Sequence, residues 1–414
     1  MSGEKTIVHT HRANAAPVYL DYQATTPTDA RVVVAMLPYF TETFGNPHST
    51  GHRFGREAAE AVEQARGEVA GLIGAEPREI VFTSGATESN NLAIKGAARF
   101  LRDERRAERD HIVTVETEHK CVLETCGQLA REGFSVSVLP VMSDGLLDLE
   151  TLSAAIGPRT ALVSVMAVNN EIGVIQPIAE IGALCRARGV LFHSDAAQAA
   201  GKIPLDVEAM NVDLLSISGH KLYGPKGIGA LYVRRRPRVR LTPLIDGGGQ
   251  ERGFRSGTLP TPLCVGLGAA CAIAQAEMAE EAARLLGLRR HFVAALRSRI
   301  PGTRLNGSAE QRVAGNLNIG FSGVDAELLL ENCPMVAAST GSACSSARVE
   351  PSYVLRALGL DEAAARGSLR LCLGRSTTEA EVNFAVDALV AAVERLREAG
   401  AGDEKGSLRR HIAG

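Results

Sequence analysis

The stretch VDLLSISGHKLYGPKG, residues 212–227, joins a strand signal to a loop rich in glycine and proline. Its first part, 212–217, is an apolar run of the length typical of a buried strand. A hydroxyl, an imidazole and an amine follow directly, on Ser218, His220 and Lys221. The stretch therefore predicts a strand that ends in polar side chains, as ligand sites at the edge of a parallel sheet require.

Around this stretch, helical and strand periods alternate from about residue 55 to residue 235. Apolar spacing predicts helices at 55–73, 91–101, 122–132, 149–156 and 178–188. Short apolar runs predict strands at 80–82, 111–115, 135–139, 161–168, 190–192 and 214–217. Strands that alternate with helices form a mainly parallel sheet covered on both faces. We therefore expect an α/β fold.

The pattern changes after residue 235. Gly, Pro and Arg dominate 236–262, which predicts an ordered surface loop, and 271–299 predicts a helix. Beyond it, strands are expected at 316–321 and 368–373, and a helix at 378–399. We predict a large domain over 18–274 and a small α+β domain over 275–400, which the N-terminal arm joins. A disordered tail is expected over 401–414.

Composition excludes several classes of protein. The formal net charge is −2 over 414 residues, so neither nucleic acid nor an anionic membrane is an expected partner. The N-terminus is polar and no apolar run approaches membrane-spanning length, which predicts a soluble, unsecreted, cytoplasmic protein. Eight cysteines without CxxC pairs indicate neither a disulfide framework nor a zinc site. We expect no metal on the free protein.

Polar residues follow the predicted strands of the sheet. In open α/β sheets, ligands bind beyond the carboxyl ends of the strands. The segments at those ends are all polar: 83–87, His119, 169–170, 193–198 and 218–221. Their coincidence predicts one ligand site at this edge of the sheet.

Lys221 and Asp195 carry the groups that a pyridine-aldehyde cofactor needs. A lysine forms an imine with an aldehyde, although a lysine at a strand end is more often a solvated surface group. An aspartate pairs with a protonated ring nitrogen, although the commoner role at such a position is an Asx turn or helix cap. Their places at the ends of neighbouring strands favour the cofactor, with Gln198 as a donor to its ring oxygen.

The segment 84–87 opens a helix, where free N–H groups bind anions. An ordinary helix cap is an equally good interpretation. Ser218 and His220 would complete a phosphate cage. His119 suits ring stacking or proton transfer at this edge, although a lone histidine is more often structural.

Cys344 lies in STGSACSSA, residues 339–347, which contains only small residues and predicts a mobile loop. A cysteine there is exposed and ionisable, which favours a nucleophile. The other seven cysteines lie in apolar patterns and are expected to be inert small hydrophobes. Arg370 alternates with apolar residues in a predicted strand, where it either binds a substrate carboxylate or is a surface charge.

Taken together, these residues resemble the cysteine desulfurases, the pyridoxal-phosphate enzymes that feed iron–sulfur cluster assembly. The resemblance spans nearly the whole chain except its two ends, and it is closest to the bacterial and mitochondrial housekeeping branch. The matching stretches are 19–21, 24–27, 45–48, 82–89, 117–120, 168–173, 218–227, 247–253, 255–258, 341–344 and 350–356.

The resemblance implies a homodimer with the PLP-dependent transferase fold type I. It implies that Lys221 binds pyridoxal 5'-phosphate covalently and removes the Cα proton of L-cysteine. The remaining implied contacts to the cofactor are Asp195 to the ring nitrogen, Gln198 to the ring oxygen, His119 on the ring face, Asn170 beside it, and Ala86, Thr87, Ser218, His220 and the partner subunit's Thr258 at the phosphate. Asn170 and Arg370 would bind the substrate carboxylate.

The resemblance also implies the reaction. L-cysteine becomes L-alanine while Cys344 takes the sulfur as a persulfide, and an acceptor protein then receives it for cluster assembly or tRNA thiolation. Cys344 would also serve as a transient cluster ligand. A selenocysteine lyase, an aminotransferase and a catalytically silent scaffold are the alternatives, and Lys221 with Cys344 favours the desulfurase. The scaffold-docking extension of the family, with its tryptophan, is not recognisable, so the acceptor is left open.

Overall fold

The computed structural model describes residues 16–104, 108–340 and 351–412. Its strands are β1 Val18–Tyr19, β2 Ile80–Thr83, β3 His111–Val115, β4 Ser135–Leu139, β5 Thr160–Ser164, β6 Leu191–Asp195, β7 Leu214–Ser218, β8 Gly229–Val233, β9 Thr303–Leu305, β10 Asn316–Phe321, β11 Val336–Ala337 and β12 Ser368–Cys372. Its α-helices are α1 Ala30–Met36, α2 Pro38–Thr41, α3 Arg53–Leu72, α4 Ala86–Arg99, α5 Lys120–Arg131, α6 Leu149–Ala155, α7 Ile178–Ala187, α8 Thr261–Arg299, α9 Ala326–Glu331, α10 Tyr353–Ala357, α11 Glu362–Arg366 and α12 Glu379–Ile412.

The central sheet has seven strands in the order β2-β8-β7-β6-β5-β3-β4. Within this sheet β8 alone runs antiparallel to its neighbours, β2 and β7. The prediction of a mainly parallel sheet is therefore confirmed. Strand β8 was not predicted, because it begins close behind the Gly/Pro loop 224–227, a composition typical of irregular segments.

Helices cover both faces of this sheet. On one face, α3 buries Ala58, Val62, Ala65 and Val69, a spacing that places them on one stripe of the helix, and α8 packs across it. A Cβ on Gly268 of α8 would lie 2.6 Å from the Cα of Ala65, so glycine permits this close approach. On the other face, α4 and α5 pack with the sheet into a second core.

Helix α8 is long and apolar enough to cross a membrane by length and composition, contrary to the expectation from the sequence. Its first half nevertheless lies in the protein core, where Cys264, Leu267, Cys271 and Ala274 are buried. These buried residues of α8 therefore pack within the fold.

The small domain forms around a separate core. An antiparallel sheet in the order β12-β10-β9 packs with α9, α12 and the second half of α8, which contributes Leu285, Phe292 and Leu296. The arm strand β1 pairs with β11, and Leu20 lies in this same core. Helix α8 passes from the large core to the small one between Ala274 and Leu285.

The C-terminal helix extends further than predicted. The sequence predicted its end at residue 399 and a disordered tail from 401, whereas α12 continues to Ile412. The residues 400–412 include glycines, but also Glu, Lys, Leu, Arg and Ala, which have high helix propensity. The high propensity of these residues offsets the unfavourable helix propensity of the glycines. In addition, residues that extend an existing helix do not bear the cost of nucleation.

Candidate functional site

A cleft of about 750 Å³ opens at the carboxyl ends of the parallel strands. It brings together most of the residues that the sequence singled out. The predicted residues that line it are Ala86, Thr87, His119, Asn170, Asp195, Gln198, Ser218, His220, Lys221 and Arg370. The polar strand ends thus converge on one site.

Lys221 lies in a single 3-10 turn directly after β7. Its Nζ donates to the carbonyl oxygens of Gln23 and Ala24, each at 2.7 Å. Burial and the nearby Arg370 charge lower the pKa of Lys221 to about 8, against the opposing effect of Asp195. About a tenth of such an amine is neutral at pH 7, which makes it a competent nucleophile for an aldehyde.

Asp195 is the last residue of β6 and is buried. Its Oδ1 accepts from the backbone N–H of Ala197 at 2.9 Å, as in an Asx turn, and its Oδ2 accepts from Nδ2 of Asn90 at 2.7 Å. The turn interpretation is therefore correct, and the same carboxylate lines the cleft. An aspartate in this place suits an ion pair with a protonated ring nitrogen.

His119 caps the N-terminus of α5, where its Nδ1 accepts from the backbone N–H of Cys121 at 3.2 Å. The structural interpretation is therefore correct, and the same ring lines the cleft. Burial lowers the pKa of His119, despite the charge of Asp195. Since Nδ1 accepts, the proton of the neutral ring lies on Nε2.

Cys121 is one of the seven cysteines that were expected to be inert small hydrophobes in apolar surroundings, and it departs from that expectation. Six of them are buried, but Cys121 is partly exposed and lines the cleft, with its Sγ 3.0 Å from Nδ1 of His119. The α5 pattern predicted an apolar environment, and the first turn of that helix faces the cleft instead. Burial and the Asp195 charge raise the pKa of Cys121 to about 12, so it is a poor nucleophile.

The start of α4 forms a possible anion site. Gly85 occupies the N-cap without a side-chain cap, so the N–H groups of the first turn face the cleft at Ala86 and Thr87. Glu88 bonds back to the N–H of Ser84 at 2.8 Å and does not cap the helix. The anion interpretation is therefore favoured over the ordinary cap.

Ser218 and His220 line the cleft with the start of α4. Burial, with the charges of Lys221 and Lys226, lowers the pKa of His220 to about 4. The imidazole is therefore neutral and acts by hydrogen bonding, and its Nδ1 lies 3.0 Å from Oγ1 of Thr25.

Arg370 is buried in β12, so the alternative of a surface charge is wrong. The strand alternation suggested one solvated face, but both faces of β12 are covered. Arg370 donates to Oδ1 of Asp21 at 2.8 Å and to the carbonyl oxygen of Asn170 at 2.9 Å. Its Nε and the Oδ1 of Asn170 are buried without a partner among the described residues, which marks a place for a polar ligand.

Several residues of the site were not assigned a role from the sequence. The carbonyl oxygen of Gln23 accepts from Lys221 and Gln198, and its Oε1 accepts from Asn316 and Cys372. Glu171 accepts from Oγ of Ser352, and burial raises its pKa to about 7. These residues lie in or beside the stretches that carry the family resemblance, which was the available signal.

Two predicted site residues are not in the cleft as described. Thr258 is exposed and does not line it. Cys344 lies outside the described residues, within 341–350. The segments on either side of that gap are held at the cleft, because Ser339 exchanges backbone hydrogen bonds with Arg370 and Ser352 bonds to Glu171. The described residues contain no group of three or more metal-ligating side chains.

Comparison with known proteins agrees with this geometry. The aminotransferase class-V family matches residues 18–384. The cysteine desulfurase IscS of Rickettsia bellii is 58% identical over 382 residues, which is 92% of either chain. Among solved structures, a NifS-like protein superposes with a TM-score of 0.84 at 37% identity, over 91% of this chain and 99% of that one. A structure of SspA in complex with cysteine has a TM-score of 0.75 at 41% identity, over 86% and 98%.

Proposed function

The chain belongs to the aminotransferase class-V family and is a pyridoxal-phosphate-dependent cysteine desulfurase of fold type I, and we propose that Lys221 and Cys344 carry its reaction. One observation supports the role of Lys221 most directly. Its amine is buried with a pKa lowered to about 8, in the cleft that also holds Asp195 and Arg370.

The cleft fits the cofactor at both ends. The uncapped start of α4, with Ser218 and His220, suits the phosphate, and Asp195 suits the ring nitrogen. Bound pyridoxal 5'-phosphate supplies an aldehyde for amines and a ring that accepts electrons from Cα. With the cofactor bound, Asp195 would keep a proton on the ring nitrogen, Gln198 would donate to the ring oxygen and His119 would pack on the ring face.

L-cysteine binds beside Lys221 through its carboxylate. The unpartnered Nε of Arg370 and the amide nitrogen of Asn170 provide the N–H donors for it. Asp21 holds the guanidinium in place through its own hydrogen bond. Lys221 then removes the Cα proton and later returns a proton to the product.

Cys344 accepts the sulfur. Its thiolate attacks the sulfur of the substrate, so an S–S bond forms while the Cβ–S bond breaks. The electron pair left on Cβ takes up a proton, which yields L-alanine and a persulfide on Cys344. Cys344 follows Thr340 by four positions, and an extended chain covers at most about 3.5 Å per residue. The Cα atoms of the two residues therefore lie within about 14 Å of each other.

We also propose a homodimer. Large apolar side chains are exposed in the segment that runs from α1 to the start of α3: Val33, Val34, Leu37, Phe40, Phe44 and Phe54. The rings of Phe44 and Phe54 stack 5.5 Å apart. An exposed apolar patch of this kind is typical of a protein interface. In the dimer, Thr258 contributes to the phosphate site of the partner subunit.

The acceptor of the sulfur is a protein, and we propose an iron–sulfur scaffold, with a tRNA-thiolation carrier as the second candidate. The cysteines among the described residues are free thiols, which suits a cytoplasmic location.

Incubating the purified holoenzyme with L-cysteine tests the proposed function. Equal amounts of alanine and protein-bound persulfide are expected, and Lys221→Ala abolishes both because the Cα proton then has no base. Pyruvate or a keto acid in place of alanine would contradict a desulfurase. Turnover of selenocysteine without any turnover of cysteine would favour the lyase.

A further inference from the structure

Lys202 lies behind the cofactor residues and has no role in the reaction described above. Its Nζ donates to Oε1 of Gln198 at 2.7 Å. The Nε2 of Gln198 donates in turn to the carbonyl oxygen of Gln23 at 2.8 Å. The same carbonyl oxygen accepts from Nζ of Lys221 at 2.7 Å. Lys221 therefore bonds to the Gln23 carbonyl oxygen directly, and Lys202 is connected to it through the Gln198 amide.

Donor and acceptor chemistry determines which way the Gln198 amide faces. The Gln23 carbonyl oxygen only accepts, so the nitrogen of Gln198 must face it and the oxygen must face Lys202. Burial, with the charge of Lys221, lowers the pKa of Lys202 to about 7, but an amine carries N–H groups in both charge states and donates in either. One N–H of Gln198 is used by Gln23, and the second remains for a ligand in the cleft that Gln198 lines.

We propose that Lys202 is a positioning residue that orients the Gln198 amide so that its free N–H meets the ring oxygen of the cofactor. The inference rests on the proposed function, because it takes the ring oxygen to lie beside Gln198. Lys202 touches neither cofactor nor substrate and acts through Gln198.

The surroundings of Lys202 offer a conservative variant. Lys202 also lines a cavity of about 40 Å³ between the two domains, with Tyr22, Glu281 and Cys372. This space leaves room for the larger head of Lys202→Arg, which keeps N–H donors. Lys202→Met is one bond shorter than lysine and has no N–H donor. Lys202→Gln is equally short and stays polar, and its amide ends one bond before the place that the lysine nitrogen occupies beside Gln198.

The experiment is a pH titration of the visible absorbance of the bound cofactor in the holoenzyme. A donor at the ring oxygen stabilises the deprotonated chromophore, so its loss raises the midpoint. We expect Lys202→Met and Gln198→Met each to raise the midpoint by about one pH unit, as for a hydrogen bond to a charged group. The double variant should shift no further than Gln198→Met alone, and Lys202→Arg should titrate like the wild type.

Additive shifts in the double variant would overturn the proposal, because Lys202 would then act by its charge through space and not through Gln198. A wild-type midpoint in Lys202→Met would also overturn it. Lys202→Gln replaces the Met variant if the latter does not fold. Absence of a cofactor absorbance in the wild-type protein is a different result, since it would contradict the proposed function and not the role of Lys202.

Discussion

Replacing Lys221 by methionine in the cofactor-free protein tests whether the amine is buried with a lowered pKa. The pKa is 10.5 in an unperturbed lysine and about 8 in the folded protein. Between these values the unfolded chain binds more protons than the folded one, so stability rises with pH across the window. Lys221→Met lacks this contribution. The difference, 10.5 − 8, at about 1.4 kcal/mol per pH unit, amounts to about 3.5 kcal/mol.

Unfolding entropy converts this free energy into a change in melting temperature. At about 2.1 cal/mol/K per residue, 414 residues give about 0.9 kcal/mol/K, so about 3.5 kcal/mol corresponds to about 4 °C. The assay compares melting temperatures of wild type and Lys221→Met from pH 7 to 10.5. The wild type should gain about 4 °C relative to the variant as pH rises. Lys226→Met, at an exposed lysine of the same cleft, is the control and should show no such trend. If the melting temperatures of wild type and Lys221→Met changed with pH in parallel, the amine of Lys221 would not be buried with a lowered pKa.

Two further predictions concern the substrate and the dimer. Arg370→Met should lower kcat/KM for L-cysteine by about 10- to 100-fold, the size of a lost hydrogen bond to a charged group. Arg366→Met, which removes an exposed pair with Glu362, should leave it unchanged, and equal effects of the two would argue against carboxylate binding by Arg370. Val34→Asp combined with Phe44→Asp should convert the protein from dimer to monomer in sedimentation experiments, because these side chains are 67% and 62% exposed in the single chain. A wild-type monomer, or a double variant that stays dimeric, would contradict the proposed interface.

The sequence predicted the central sheet and most of the cleft because both depend on local patterns. Apolar runs located β3, β4 and β10 to the residue, and the rule for strand ends gathered Asp195 and Lys221 into one site. Local signals were enough there, since a parallel sheet brings its strand ends to a common edge.

Features that depend on distant contacts were missed. The Gln23 carbonyl oxygen accepts hydrogen bonds from Lys221, 198 positions later in the chain, and from Gln198, 175 positions later. The local sequence pattern around Gln23 does not predict these contacts. The burial of Arg370 requires β10, β12 and the arm at Asp21 to be in place, so the strand pattern alone left open whether it binds a carboxylate or is a surface charge. The contact between Lys202 and Gln198 was also missed. Lys202 lies four residues after Gln198, and many surface lysines have the same spacing from a polar residue, so the spacing alone does not predict a contact.

The sulfur content of Cys344 after a single turnover tests the central claim most directly. Stoichiometric L-cysteine is added to the holoenzyme, and the peptide that contains residue 344 is weighed by mass spectrometry without reduction. We expect one added sulfur atom on Cys344 in the wild type, together with one alanine per site. In Cys344→Ala, the cofactor absorbance should remain, with neither persulfide nor catalytic alanine formation. Persulfide on another cysteine, such as Cys121, with undiminished alanine production by Cys344→Ala would contradict the assignment of the nucleophile.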